Sequence, residues 1–143
     1  MTIHKLDTKM YVTQKAFIHK KGKILVLRDP QHAVKGQVGL DFPGGKYRWG
    51  KALQEELKRE VAEETGLTIN VSKPFISWTN LGYKTKHKNI NLFIVGYLCE
   101  YVSGKVILSN EHDKFEWVDE KNYRNWKENS PYFRALEEYF KLK

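Results

Sequence analysis

Within Gly45 to Leu67 the chain sets three carboxylates, Glu60, Glu63 and Glu64, at helical positions i, i+3 and i+4. These positions share one helix face, where each like-charged pair opposes helix formation by roughly 0.2–0.5 kcal/mol. A hard divalent cation removes that repulsion. Mg²⁺ takes oxygen ligands, keeps several waters and bridges carboxylates to substrate phosphates. The three residues alone leave a second reading open: a solvated amphipathic helix whose acids merely face water.

The elements on either side of the acids decide how they are held. In Asp41-Phe42-Pro43-Gly44-Gly45, Pro43 disfavours helix at Phe42, and the two glycines permit backbone conformations closed to other residues. A sharp turn after a short strand is expected, with backbone close to an ion or phosphate. From about Lys51 the pattern turns helical. Leu53, Leu57 and Val61 recur every four residues, with Ala62 beside them, as an apolar stripe to bury against a sheet. Gly66 after Thr65 is a suitable C-cap, and Leu67-Thr-Ile-Asn-Val reads as a strand.

In this context the segment resembles the signature of the Nudix hydrolases. That signature is a glycine, five residues, a glutamate, seven residues, then Arg-Glu-aliphatic-any-Glu-Glu-any-Gly-aliphatic. Gly45, Arg59, Glu60, Val61, Glu63, Glu64, Gly66 and Leu67 match it. The first glutamate does not, because Lys51 stands in its place, and Arg48 sits where many members carry another acid. In the family the missing glutamate supports the signature arginine or steadies the metal site. Glu55 and Glu56 both lie within helical reach of Arg59, and one of them is expected to take over that partnership.

The resemblance implies a Nudix-type α/β/α sandwich of α/β (α+β) class, with a mixed β-sheet between helices. It implies a metal-dependent pyrophosphohydrolase in which water cleaves the P–O–P bond of a nucleoside diphosphate linked to another moiety. Glu60, Glu63 and Glu64, with a carbonyl of Gly44 or Gly45, would hold Mg²⁺ or Mn²⁺. Glu60, Glu64, Glu111 and Arg59 form the expected catalytic set. Glu111 enters because an acid a few residues before an aromatic strand often reaches the metal cluster in this family, and Glu111-His112 precedes Lys114–Val118 in that way. His112 is structural or substrate-binding on this reading, and Glu116 a surface residue. Arg28, Phe42, Lys46 and Lys51 are the substrate-binding candidates, the cations for phosphate and Phe42, with Trp78 and Tyr83, for stacking a base. The rival reading is a Nudix-fold nucleotide-binding module with weak or lost catalysis, since the ammonium of Lys51 would compete with the metal.

Length and composition suit these expectations. The 143 residues read as one domain over 1–143, rich enough in Trp, Tyr and Phe for a packed core. No apolar run approaches the roughly 18 residues of a membrane span, and Met1 to Asp7 lack the apolar core of a secretory signal. The lone cysteine, Cys99, has no internal partner and reads as buried and inert, so a reducing cytoplasm is expected. Twenty-five Lys and Arg against 17 Asp and Glu give +8, which suits a small polyanionic nucleotide by steering. The cations are scattered, so no nucleic acid is expected other than a capped or triphosphate-bearing RNA end. Monomer and homodimer are both open.

Further along, strands are expected at 10–19, 24–28, 68–71, 75–81, 89–100 and 114–118, and a closing amphipathic helix at 132–142. Loops at 29–39 and 82–88 complete the reading.

Overall fold

A computed structural model describes residues 9–33, 36–48, 50–84 and 89–142, apart from the side chains of 83, 84 and 89. Its strands are β1 (Met10–Lys20), β2 (Lys23–Arg28), β3 (Leu40–Asp41), β4 (Gly44–Lys46), β5 (Thr68–Lys84), β6 (Asn89–Ser103) and β7 (Lys114–Val118). The described residues also form the helices α1 (Leu53–Thr65) and α2 (Pro131–Lys141) and a 3₁₀ turn at Tyr123–Trp126. The strands form one mixed sheet in the order β3-β2-β1-β6-β5, with β4 on β1 and β7 on β2. Among the described residues β1 and β6 run parallel and the other pairs are antiparallel. This is the expected mixed sheet between helices.

The core is double because the strands alternate. Phe17, Ile24, Val26 and Ile94 face α2, together with its Phe133, Leu136 and Tyr139. Ala16, Ile18, Leu25 and Leu27 face Leu57 and Val61 of α1. On the edge away from β6, β1 changes partner along its length. It pairs with β2 at His19 and Lys20, and with β4 from Thr13 to Lys15. The functional residues gather at that fork.

Two expectations give way to packing. The strands expected at 68–71 and 75–81 are one continuous strand, β5, interrupted only by register shifts. Pro74 does not break it, because β5 is at the sheet edge and needs no outward N–H there. Leu53, expected in the buried stripe, is 43% exposed at the first position of α1. The stripe is instead Leu57 and Val61, flanked by the buried acids Glu56 and Glu64. Gly66 caps α1 as expected, in the left-handed conformation at φ 75°.

Glu56 is only 2% exposed, so its charge must be answered locally. Arg59 donates to it through Nε at 3.1 Å and Nη2 at 2.9 Å, and Arg48 donates at 2.9 Å. Those hydrogen bonds, Arg59 first, outweigh burial and hold its carboxyl down at about 2 against an ordinary 4.5. A depressed pKa contributes stability that is complete above the ordinary value and is lost as pH falls through the folded one. Urea midpoints of the parent should therefore drop between about pH 4.5 and 2 more steeply than those of Glu56→Gln. Equal slopes would remove the ion pair as an acid-sensitive support. Truncating the stripe tests the packing: Leu57→Ala should cost about 2–5 kcal/mol in urea unfolding. Leu53→Ala should stay within about 0.5 kcal/mol.

Candidate active site

Close backbone approach builds the site. Gly44 sits at φ 144°, and a Cβ there would fall 1.9 Å from the carbonyl oxygen of Gln14. A Cβ on Gly45 would fall 2.7 Å from Glu60 Oε2, so the Glu60 carboxylate occupies the space a side chain would take. Gly44 N–H donates to Glu64 Oε1 at 3.1 Å. The glycine turn thus fastens two of the three helix acids to the sheet.

The acids differ in surroundings. Glu64 is buried, and burial pushes its carboxyl up to about 7, with Lys15 pulling the other way and Asp41 adding to the rise. Burial also raises Glu60, against the pull of Arg59. Glu63 is exposed. Arg59 ties this face together, donating to Glu60 Oε1 at 2.8 Å and to Glu63. Glu111, although 47 positions from Glu64, comes beside it: one ligand atom each from Glu64, Glu111 and His112 lies within 4.8 Å of the others.

Behind these acids lies a charged network that joins His112, expected to be structural or substrate-binding, to Lys15 and Asp41, for which no role was expected. Lys15 Nζ is 3.0 Å from Asp41 Oδ1, and His112 Nε2 is 2.9 Å from Asp41 Oδ2. Burial alone would neutralise both members of the first pair. Their attraction wins, and Lys15 is held above, and Asp41 below, their ordinary ranges. Burial works against the proton on His112 as well, but its bond to Asp41 keeps the imidazole raised. Asp29, Asp41 and His112 also bring ligand atoms within 4.8 Å of one another, but the Lys15 ammonium already supplies the positive charge there. The one local signal was a lysine inside a strand otherwise buried, Lys15 before Ala16-Phe17-Ile18.

These groups line a cleft of about 500 Å³ that reaches from Glu60, Glu63, Glu64 and Glu111 across to Thr13, His32 and Tyr132. Lys46, Arg48 and Arg59 also line it. Lys46 extends its ammonium over the Tyr11 ring, 4.8 Å from the centroid. The structure does not bring the other substrate-binding candidates into the cleft. Arg28 bonds Asp113 at 2.6 Å and the Val38 carbonyl at 3.1 Å. Phe42 is fully buried and stacks on Phe17 with ring centroids 4.2 Å apart. Lys51 is exposed and does not line the cleft. Trp78 packs edge-on against Phe17, Phe42 and Tyr132, while the side chain of Tyr83 lies outside the described residues. Glu116 is not a free surface acid, since it accepts from Trp126 Nε1 at 2.6 Å.

The donors fit a hard cation. Carboxylate oxygens meet at a backbone cradle with no room for a side chain, and the desolvated Glu64 lacks full compensation for its charge.

Comparison with known proteins agrees with this geometry. The family model described as NUDIX domain matches residues 14–139. The MutT protein from Methanosarcina mazei Go1 is 26% identical, with TM-score 0.73 over 95% of this chain and 96% of that one. The ORF135 protein of E. coli is 22% identical, with TM-score 0.71 over 94% and 91%. A UDP-X diphosphatase is 20% identical, with TM-score 0.61 over 94% of this chain and 61% of that one. No curated protein matches the chain. With the glycine turn, the acidic helix and a family match over most of its length in agreement, the chain belongs to the Nudix hydrolase family.

Proposed function

We propose that this Nudix hydrolase cleaves the P–O–P linkage of a nucleoside diphosphate attached to another moiety, with Mg²⁺ or Mn²⁺ as cofactor. The observation that carries the reading is the placing of Glu60 against Gly45 and of Glu64 on the Gly44 N–H, with Glu111 beside Glu64, all lining one charged cleft. Glu60, Glu63 and Glu64, with a carbonyl of Gly44 or Gly45, would hold the cation, which when bound neutralises phosphate charge and acidifies a water. The chain's own groups do the rest. Lys46, which lines the cleft, presents positive charge to the diphosphate. Glu111 or Glu64 accepts the proton of the attacking water; the Glu64 carboxyl, raised toward neutrality by burial, suits that task. As oxygen attacks phosphorus, the bridging P–O bond breaks and the second phosphate departs with its substituent. Arg59 moves no proton and holds the acids in place.

The rival reading, a nucleotide binder without turnover, drew on Lys51 and Arg48. Arg48 is drawn to Glu56 instead, and Lys51 lies outside the cleft lining, which supports the hydrolase. The UDP-X diphosphatase likeness supports a nucleotide as the substrate, most simply a small one, with a capped or triphosphate RNA end as its longest form. A cytoplasmic setting is part of this reading. It is supported by Cys99, which is buried, free and pushed up to about 12 by burial. No helix among the described residues is long and apolar enough to cross a membrane.

A panel of nucleoside triphosphates, nucleotide sugars, dinucleoside polyphosphates and ADP-ribose, each with Mg²⁺ or Mn²⁺, tests the proposal by released phosphate or nucleotide. Turnover of at least one member is expected. None, together with no metal binding by calorimetry, would leave the binder. On the preferred substrate, Glu64→Gln should lower kcat by at least about 10²-fold. Near-parent activity in that variant would remove Glu64 from the site.

A further inference from the structure

Of Glu55 and Glu56, the two candidates for the missing glutamate's place, Glu56 is the one that meets Arg59. Glu55 is exposed and faces Lys58 at 3.9 Å. Glu56 is buried and takes the side-on fork of the guanidinium, Nε to Oε1 at 3.1 Å and Nη2 to Oε2 at 2.9 Å. The same Nη2 also donates to Glu60 Oε1 at 2.8 Å, and Nη1 donates to Glu63. Arg59 is therefore divided between an acid facing away from the cleft and two acids lining it. Glu56 is not a cleft residue, so it touches neither metal nor substrate. Its Oε2 is shared with Arg48 Nε at 2.9 Å, which takes up the positive charge of a loop where the signature has acids.

This division has a direction. A two-pronged, charge-assisted bond is the strongest hold a carboxylate has on a guanidinium. With that fork in place, Arg59 stays on Glu56 when a cation claims oxygens of Glu60 and Glu63. Without it, all the guanidinium donors turn to those same oxygens and compete with the cation. We propose that Glu56 is the positioning residue that stands in for the signature's missing glutamate, anchoring Arg59, with Arg48 as its second cation, so that Glu60 and Glu63 remain available to a divalent metal. The inference rests on the metal site proposed above. It concerns a contact eleven residues from the glycine of the signature, not the six at which the pattern places its glutamate.

The test is a titration of the full chain with Mn²⁺ alone, reading free ion by electron paramagnetic resonance, with circular dichroism to confirm folding. Glu56→Gln should weaken Mn²⁺ binding at least about tenfold, the range for a residue that orients metal ligands. Glu55→Gln removes the same charge from the same helix and should change it less than about twofold. In an Arg59→Gln background, Glu56→Gln should add less than about twofold, because the group it acts through is gone. Should Glu56→Gln fail to fold, Glu56→Asp is read in the same cycle, since it keeps the charge and shortens the reach. Equal losses in both backgrounds, or an equal loss at Glu55→Gln, would overturn the proposal in favour of a plain charge effect. A parent that binds Mn²⁺ and a Glu56→Gln that binds it as tightly would overturn this inference alone. A parent that binds none would overturn the metal site and this inference with it.

Discussion

The site depends on how closely α1 approaches the glycine turn. The Glu60 carboxylate fills the volume a Gly45 side chain would need, and Gly44 lies so near β1 that a Cβ would overlap the Gln14 carbonyl. Helix acids are thereby pressed against backbone and lose water. A desolvated carboxylate must be hydrogen-bonded, paired or protonated. Each glutamate resolves that demand differently: Glu64 by the Gly44 N–H and a carboxyl raised to about 7, Glu60 by Arg59, Glu63 by staying at the surface. The glycines thus set the electrostatics of the site as well as the shape of the turn.

The same crowding explains the Lys15–Asp41–His112 network. A buried ion pair adds little net stability over an apolar replacement, so its presence behind Glu64 is better understood as a fixed charge. Lys15 raised and Asp41 lowered mean that both stay ionised. Burial raises Glu64 most, the ammonium pulls it back toward ionisation, and Asp41 opposes that pull. The result is an acid poised near neutrality at the wall of the cleft. The fork in the sheet makes room for this: β1 leaves β2 and takes up β4 at Lys15, where the lysine meets an acid two residues before Pro43.

Local rules made much of this legible. The acidic face, the left-handed Gly66 and the glycine turn follow from residue type and spacing over a few turns of chain. Glu111 was reachable only through resemblance, because 47 positions separate it from Glu64 and no period links them. Long-range pairing hid the rest. Lys15 meets Asp41 across two strands, and Asp41 meets His112 across 71 positions. Phe42, a plausible stacking surface beside the turn, is claimed by the core because its neighbour on β1 is Phe17. Arg28 looked free at a strand end until β7 brought Asp113 to it. Leu53 obeys the helical period but stands exposed at the first position of α1. Periodicity gives a residue's face on its helix, and only the tertiary fold decides how far the opposing surface extends.

Charge balance at the start of α1 shows why a lysine in the signature is tolerable. Glu60, Glu63, Glu64 and Glu111 line the cleft together with Lys46, Arg48 and Arg59. Glu56 pairs with Arg48 and Arg59 and offsets part of their charge. Its burial makes that charge more effective than an exposed one, since screening by water and salt weakens with depth. Lys51, exposed and apart from the cleft, is the cation whose influence solvent damps most. A carboxylate can hold the arginine from the helix one turn before it, as Glu56 does here.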